Sequence, residues 1–313
     1  MSIPDMQFGW VRNEKEVEKH LPTLPGPLFG DSGLTLDDRK EVFLWDVSRK
    51  IMNGKELPKG PQGIGDCVSW GSHNFVNDLA CVQIFNKLKS MNLLHADDED
   101  PQKQAVLEEY QEAATEVIYA LSRVEVGGQR GSYSDGSTGV WAMKAISTFG
   151  TLSRKYLDSK GLGGAYDKNR AKDWGAKGLP DSLEPDARNH LVKSVSLITS
   201  FEQAAASIQN GYGVVVCSDQ GFTMTRDKQG FCSPRGVWYH CMYLRAVRWD
   251  RPGLCCSQSW GANTPDGPLD KGQPDNTFWI DANVVNRMLS QRDSYTGSQF
   301  DGYPAQDLID WRH

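Results

Sequence analysis

The hydrophobic period changes once along the chain, and that change limits the folds open to it. Through the first half, apolar residues recur every three or four positions. Phe75, Val76, Leu79, Val82 and Phe85 or Ile84 make one such stripe, on a helix expected from Cys67 to about Leu88. Val106, Tyr110, Ala114, Val117 and Leu121 make another. From Val192 onward, short runs of β-branched and aromatic residues take over, at 192–198, 213–217, 237–249, 253–258 and 277–280, with one helical stretch at 201–209. Helices first and strands afterwards predict an α+β chain with two unlike lobes.

Turn-forming residues mark the joins. Residues 54–65 are rich in glycine and proline and end where the Cys67 helix begins, so Cys67 is expected in its first turn. Asp100-Pro101 supplies an N-cap and a first-position proline for the second helix. Residues 140–149 predict a third helix, closed by Gly150. Residues 41–46 read as a buried strand or extended segment, and 158–188, polar and broken by glycine and proline, as a long loop or insertion. The expected organisation is an N-terminal arm (1–40) lying over the domain, a helical lobe (41–190), and a β-rich lobe with the C-terminal tail (191–313).

At 313 residues, 39% of them hydrophobic, the chain can bury a substantial core. Its net charge is −6 and no lysine or arginine block occurs, which gives nucleic-acid binding no electrostatic support. No apolar run approaches the ~20 residues of a membrane span, and Met1-Ser2-Ile3-Pro4-Asp5 does not resemble an export signal. Seven cysteines, an odd number without Cys-x-x-Cys, suit reduced thiols. A soluble protein of the reducing cytoplasm, with neither membrane nor nucleic acid as partner, is the expectation.

The chemistry gathers in three segments. Gln62-Gly63-Ile64-Gly65-Asp66-Cys67-Val68-Ser69-Trp70-Gly71 sets a thiol at a helix start behind a flexible loop. Trp238-Tyr239-His240-Cys241 carries an imidazole within an apolar strand, where an unpaired ring is costly, and Gln258-Ser259-Trp260-Gly261 follows it. A thiol of pKa ~8.5 must become a thiolate to attack a carbonyl, and a helix N-terminus with a nearby imidazolium brings this about. Of the other histidines, His20, His95, His190 and His313 lie in polar or terminal segments, and His73 falls on the far side of the Cys67 helix. The parts are those of a thiol acyl-transfer site: nucleophile, base, an amide to orient the base, and an upstream amide for an oxyanion.

In that combination and order the chain resembles the papain-like cysteine peptidases. The resemblance implies an α+β, two-lobed fold, with a helical N-terminal lobe, an antiparallel β-rich C-terminal lobe and the active site in the cleft between them. It further implies Cys67 as nucleophile, His240 as general base and then acid, Gln258 as the side chain orienting that ring, and Gln62 as oxyanion donor beside the Cys67 N–H. Trp260 would shield the histidine, and Gly136 and Ser137, within Ser134-Asp135-Gly136-Ser137-Thr138, would lie against a peptide or protein substrate. The pattern departs from the family at four points. Gln258 replaces asparagine, Gln62 stands one residue closer to the cysteine, and Ile64 replaces a cysteine. The arm is also too short to resemble the long inhibitory prosegment, so any latency is expected to have another source, and the sequence leaves open whether the arm is inhibitory.

The remaining signals are structural. Cys81, Cys217, Cys241 and Cys255 or Cys256 fall in apolar segments and read as small core residues, whereas Cys232 is expected exposed and oxidisable. No metal-ligand spacing occurs, and Asp135-Gly136-Ser137-Thr138-Gly139 lacks the lysine of a phosphate loop, so no cofactor is expected. The acidic cluster at Asp97 reads as a solvated loop. Two rival readings keep the fold: an impaired binding or structural protein, and an acyltransferase or amidase using the same Cys-His-Gln site.

Overall fold

A computed structural model of the chain describes residues 8–304 together with Gln306 and Leu308, so Met1–Asp5, read above for an export signal, and His313 lie outside it. The first half carries α1 (Glu14–His20), β1 (Val42–Phe43), α2 (Leu44–Ile51), α3 (Cys67–Ser90), α4 (Pro101–Leu107), α5 (Thr115–Ala120), α6 (Gly139–Thr148), α7 (Arg154–Ser159), α8 (Lys168–Lys177) and α9 (Glu184–Ala187). The second half carries β2 (Ser194–Leu197), α10 (Phe201–Gln209), β3 (Val214–Arg226), β4 (Cys232–Arg248), β5 (Gly253–Ser257), β6 (Thr277–Asp281), α11 (Ala282–Leu289) and β7 (Tyr295–Ser298). The strands form one antiparallel sheet in the order β2-β7-β3-β4-β5-β6, with β1 paired to β4.

Helix α3 is the central pillar. Eighteen of its 24 residues are buried, so it is enclosed on all sides rather than by one stripe. It packs on β4 through a buried ion pair: Arg245 Nε and Nη2 donate to Asp78 Oδ2 and Oδ1 at 2.9 and 2.7 Å, and Nη2 also donates to Ser48 Oγ on α2. This clamp fixes the Cys67 helix against the His240 strand. In the β3–β4 ladder, Cys217 pairs with Cys241 and Ser218 with His240, after which the register shifts. His240 therefore stands where β4 leaves the regular ladder and bends.

Several expectations need correction. The helix expected to run on through Leu121 stops at Leu107, because the N–H groups of Ala113 and Ala114 are taken by Asn77 Oδ1 and the Leu152 carbonyl; helix resumes at Thr115 and widens into a π turn at Leu121–Val126. The 158–188 segment holds α8 and α9. Helix α8 buries only Ala171, Trp174, Gly175 and Ala176, too few large apolar residues to print a period, and its Arg170 pairs with the buried Glu116. Within 41–46, Val42 and Phe43 form β1 and residues 44–46 open α2. Cys232 is buried, not exposed, on the first residue of β4.

Candidate active site

Cys67 is the first residue of α3 and is buried. The Cys241 N–H donates to its Sγ at 3.3 Å, which sets the sulfur one residue along β4 from His240. Burial pushes the thiol pKa well above its ordinary value and the neighbouring Cys241 adds to this; the N–H groups of Cys241 and Gly9 pull the other way. The thiol is therefore neutral here, where the sequence suggested a lowered pKa.

His240 stacks on Trp260, ring centroids 4.5 Å apart and planes 23° from parallel. Burial drives its pKa down to about 3, so the imidazole is neutral too. Neither ring nitrogen, and neither polar atom of the buried Gln258 carboxamide, has a hydrogen-bond partner among the described residues. The Cys67–His240 and His240–Gln258 bonds expected from the sequence are thus not formed in this conformation.

Gln62 is held by the segment after β5. Its N–H donates to the Ser259 carbonyl (2.9 Å), Ser259 Oγ donates to its Oε1 (2.5 Å), and its Nε2 donates to the Ile64 carbonyl (3.0 Å). A Cβ on Gly60 would come within 2.4 Å of the Ser259 carbonyl, so glycine is what lets the two segments close together. Behind this loop, Tyr166 OH donates to Asp66 Oδ2 (2.9 Å) and accepts from the Gly63 N–H (3.1 Å). Gly136 N–H donates to Tyr119 OH, and the buried Arg123 donates to the Gly136, Ser132 and Gly175 carbonyls, which fixes the Gly136-Ser137 loop.

What lies between these groups is the chain's own arm. Phe8 presents an edge to His240 and to Trp260, at 5.9 and 5.8 Å between centroids. Gly9 passes so close to the loop before Cys67 that a Cβ on it would lie 1.9 Å from the Gly65 carbonyl. Trp10 is 3% exposed, with its N–H on the Tyr239 carbonyl (3.0 Å) and its ring beside Tyr239, which has φ +39°. Ser137 brackets it, donating to the Gly9 carbonyl and accepting from the Val11 N–H, both at 2.8 Å. Residues 8–11 of the arm thus run between the candidate site residues, while its later part lies over the domain, with the Pro25 and Pro27 carbonyls accepting from the Val195 and Leu197 N–H groups. Sequence reasoning missed Phe8, Gly9 and Trp10, although an aromatic-glycine-aromatic run in a polar arm is a signal; it also gave no role to Asp66, although that residue stands next to Cys67 in the motif, and it missed Tyr166 and Asp293, which carry no local motif.

Neither a protein-family profile nor any curated protein matches the sequence. Solved structures do match in fold. Xylellain, a cysteine protease from Xylella fastidiosa, aligns over 94% of this chain and 96% of its own, with a TM-score of 0.56 and 14% identity. Procathepsin B S9 from Trypanosoma congolense covers 93% and 86% (TM-score 0.54, 9% identity), and the ragweed pollen cysteine protease Amb a 11 in its proform 93% and 76% (0.53, 8%). The chain has the α+β, two-lobed papain-like fold. At these identities the likeness defines the fold alone.

Proposed function

We propose that the chain is a cysteine peptidase held latent by residues 8–11. The observation that carries this is the convergence of Cys67 at the start of α3, the Trp260-stacked His240 and the Ser259-bound Gln62 on one cleft of a papain-like fold, with a peptide segment seated across them. Once the arm leaves, His240 takes the proton of the Cys67 thiol as Sγ attacks a peptide carbonyl carbon, the C–N bond breaks as His240 passes that proton to the departing amine, and a thioester remains. Water, deprotonated by His240, then splits the C–S bond and releases the acid. Gln62 and the Cys67 N–H supply the oxyanion donors, Gln258 turns to the imidazole, and Gly136 and Ser137 hold the substrate backbone. The arm itself survives because it offers the sulfur an N–H, from Gly9, rather than a carbonyl carbon.

The His240 ring nitrogens and the Gln258 carboxamide, without hydrogen-bond partners among the described residues, favour one rival, a papain-fold binding protein without turnover. Full-length Gly9→Ala, in which the added methyl expels the arm, separates the two. Cleavage of internally quenched peptides that vanishes in Gly9→Ala/Cys67→Ala, with thiol alkylation already present near pH 5, supports the peptidase. Alkylation that rises only above pH 8 and no cleavage supports the scaffold. Aminolysis products formed with added amine mark the acyltransferase.

A further inference from the structure

Asp66 is an N-cap that does not cap. It precedes the first residue of α3, yet its side chain accepts nothing from that helix. Other acids at helix starts do take up N–H groups: Asp100 accepts from Gln102 and Lys103 on α4, Asp167 from Asn169 and Arg170 on α8, and Asp293 from Gly139 and Val140 at the start of α6. Asp281, ahead of α11, leaves its helix uncapped as well, and its carboxylate accepts from the Arg251 guanidinium instead. A side-chain cap is ordinarily worth about 1 kcal/mol, so an acid turned away from its helix has another partner to satisfy. For Asp66 that partner is the Tyr166 hydroxyl, which donates to Asp66 Oδ2 at 2.9 Å and accepts from the Gly63 N–H at 3.1 Å. A capping carboxylate here would stand beside the Cys67 N–H and oppose negative charge building on a bound carbonyl oxygen. Turned to Tyr166 and buried, the carboxyl keeps its proton up to about pH 8 and sets no charge there.

Tyr166 is itself braced. Its ring lies against Trp70, in the first turn of α3, with centroids 5.2 Å apart. The loop that carries it is pinned by Arg170, whose guanidinium donates to the Gly163 and Ala165 carbonyls at 3.1 and 2.7 Å and to Oε1 of the buried Glu116 at 2.6 Å. Only four residues separate Gln62 from Cys67, and each has a fixed place. Gly65 N–H donates to Asp135 Oδ2 (3.2 Å), and the Ile64 carbonyl accepts from Gln62 Nε2 and the Asp66 N–H (3.0 and 2.8 Å). A Cβ on Gly63 would lie 2.8 Å from Lys168 Cβ, so the loop runs directly against the start of α8. A single oxygen, that of Tyr166, therefore ties the residue after Gln62 to the residue before Cys67.

We propose that Tyr166 is a positioning residue for the reaction: by bracing the loop between Gln62 and Cys67, it sets the spacing of the two groups that receive the oxyanion. This rests on the peptidase reading of the cleft, so the test carries a second readout that needs no turnover. Tyr166→Phe keeps the half-buried ring on Trp70 and loses only the hydroxyl. It is made in full-length Gly9→Ala, with and without Gln62→Ala, and cleavage of internally quenched peptides is followed. Losing one oxyanion donor costs about 10²–10³ in kcat, and loosening it costs part of that. With Gln62 present, kcat should fall about ten-fold while KM changes by less than about two-fold; in Gln62→Ala the same substitution should lower kcat by about two-fold or less, since the group it positions is gone. An equal kcat loss in both backgrounds, or a loss confined to KM, overturns the proposal. In the otherwise wild-type full-length chain, hydrogen exchange at the Gly63 amide, read by NMR, should quicken about ten-fold or more in Tyr166→Phe, and an unchanged rate overturns the brace. Should Gly9→Ala show no Cys67-dependent cleavage while Tyr166→Phe still frees the Gly63 amide, the peptidase reading falls and Tyr166 keeps its hold on the loop.

Discussion

Asp66, immediately before the nucleophile, is fully buried, and burial raises its pKa to about 8 against the hydrogen bond from Tyr166. Its Oδ1 has no partner among the described residues. Because the folded carboxyl holds its proton above the ordinary carboxylate range, the native state binds more protons than the unfolded chain between about pH 4 and pH 8. Stability from this group therefore falls as pH rises through that window. Asp66→Asn removes the titration, so wild type minus variant urea midpoints should decline steadily from pH 5 to pH 8; parallel profiles would exclude the linkage. Gly9→Ala acts by clash instead. Overpacking of roughly 1–3 kcal/mol against the Gly65 carbonyl predicts about ten-fold faster alkylation of Cys67 at pH 7, read by mass spectrometry. Cys67, His240, Gln258 and Gln62 stood out as candidates because each sits in a short motif with its own chemistry. Asp293 and Asp66 did not, since burial creates their roles and one sequence does not display burial.

At the level of elements, the site depends on α3 staying locked to β4, and the Asp78–Arg245 pair is the lock. Both partners are about 2% exposed, and burial pushes the Asp78 carboxyl pKa up while the guanidinium charge opposes it. Removing one partner strands the other, so Arg245→Met should cost about 3–5 kcal/mol in chemical denaturation, and Asp78→Leu/Arg245→Met should recover most of that. A double variant as unstable as the single would show that shape, not charge, sets the junction. The helix at Phe201–Gln209 and the strand starting at Gly253 were readable from period and flanking residues. Helix α8 was not, because its inward face is mostly alanine and glycine, and neither α11 nor β7 was expected at all.

For the molecule as a whole, the arm makes cleft occupancy and stability one equilibrium. Phe8, Gly9 and Trp10 hold both halves at once: Trp10 bonds Tyr239 on β4, and Gly9 bonds Ser137 ahead of α6. While they stay, an added peptide finds no vacant cleft and should leave the melting temperature of the full-length wild-type chain unchanged. In full-length Trp10→Ala the cleft is released, the variant should melt lower, and the arm-sequence peptide should restore part of the loss by mass action. At a free concentration 100 times its Kd, the gain is about 2.7 kcal/mol. Spread over the unfolding entropy of a chain this size, that is roughly 4 °C. Scanning calorimetry with and without peptide reads both halves of the prediction. An equal shift in wild type and variant would mean that the peptide binds away from the arm's site, and cleft and arm would then be independent.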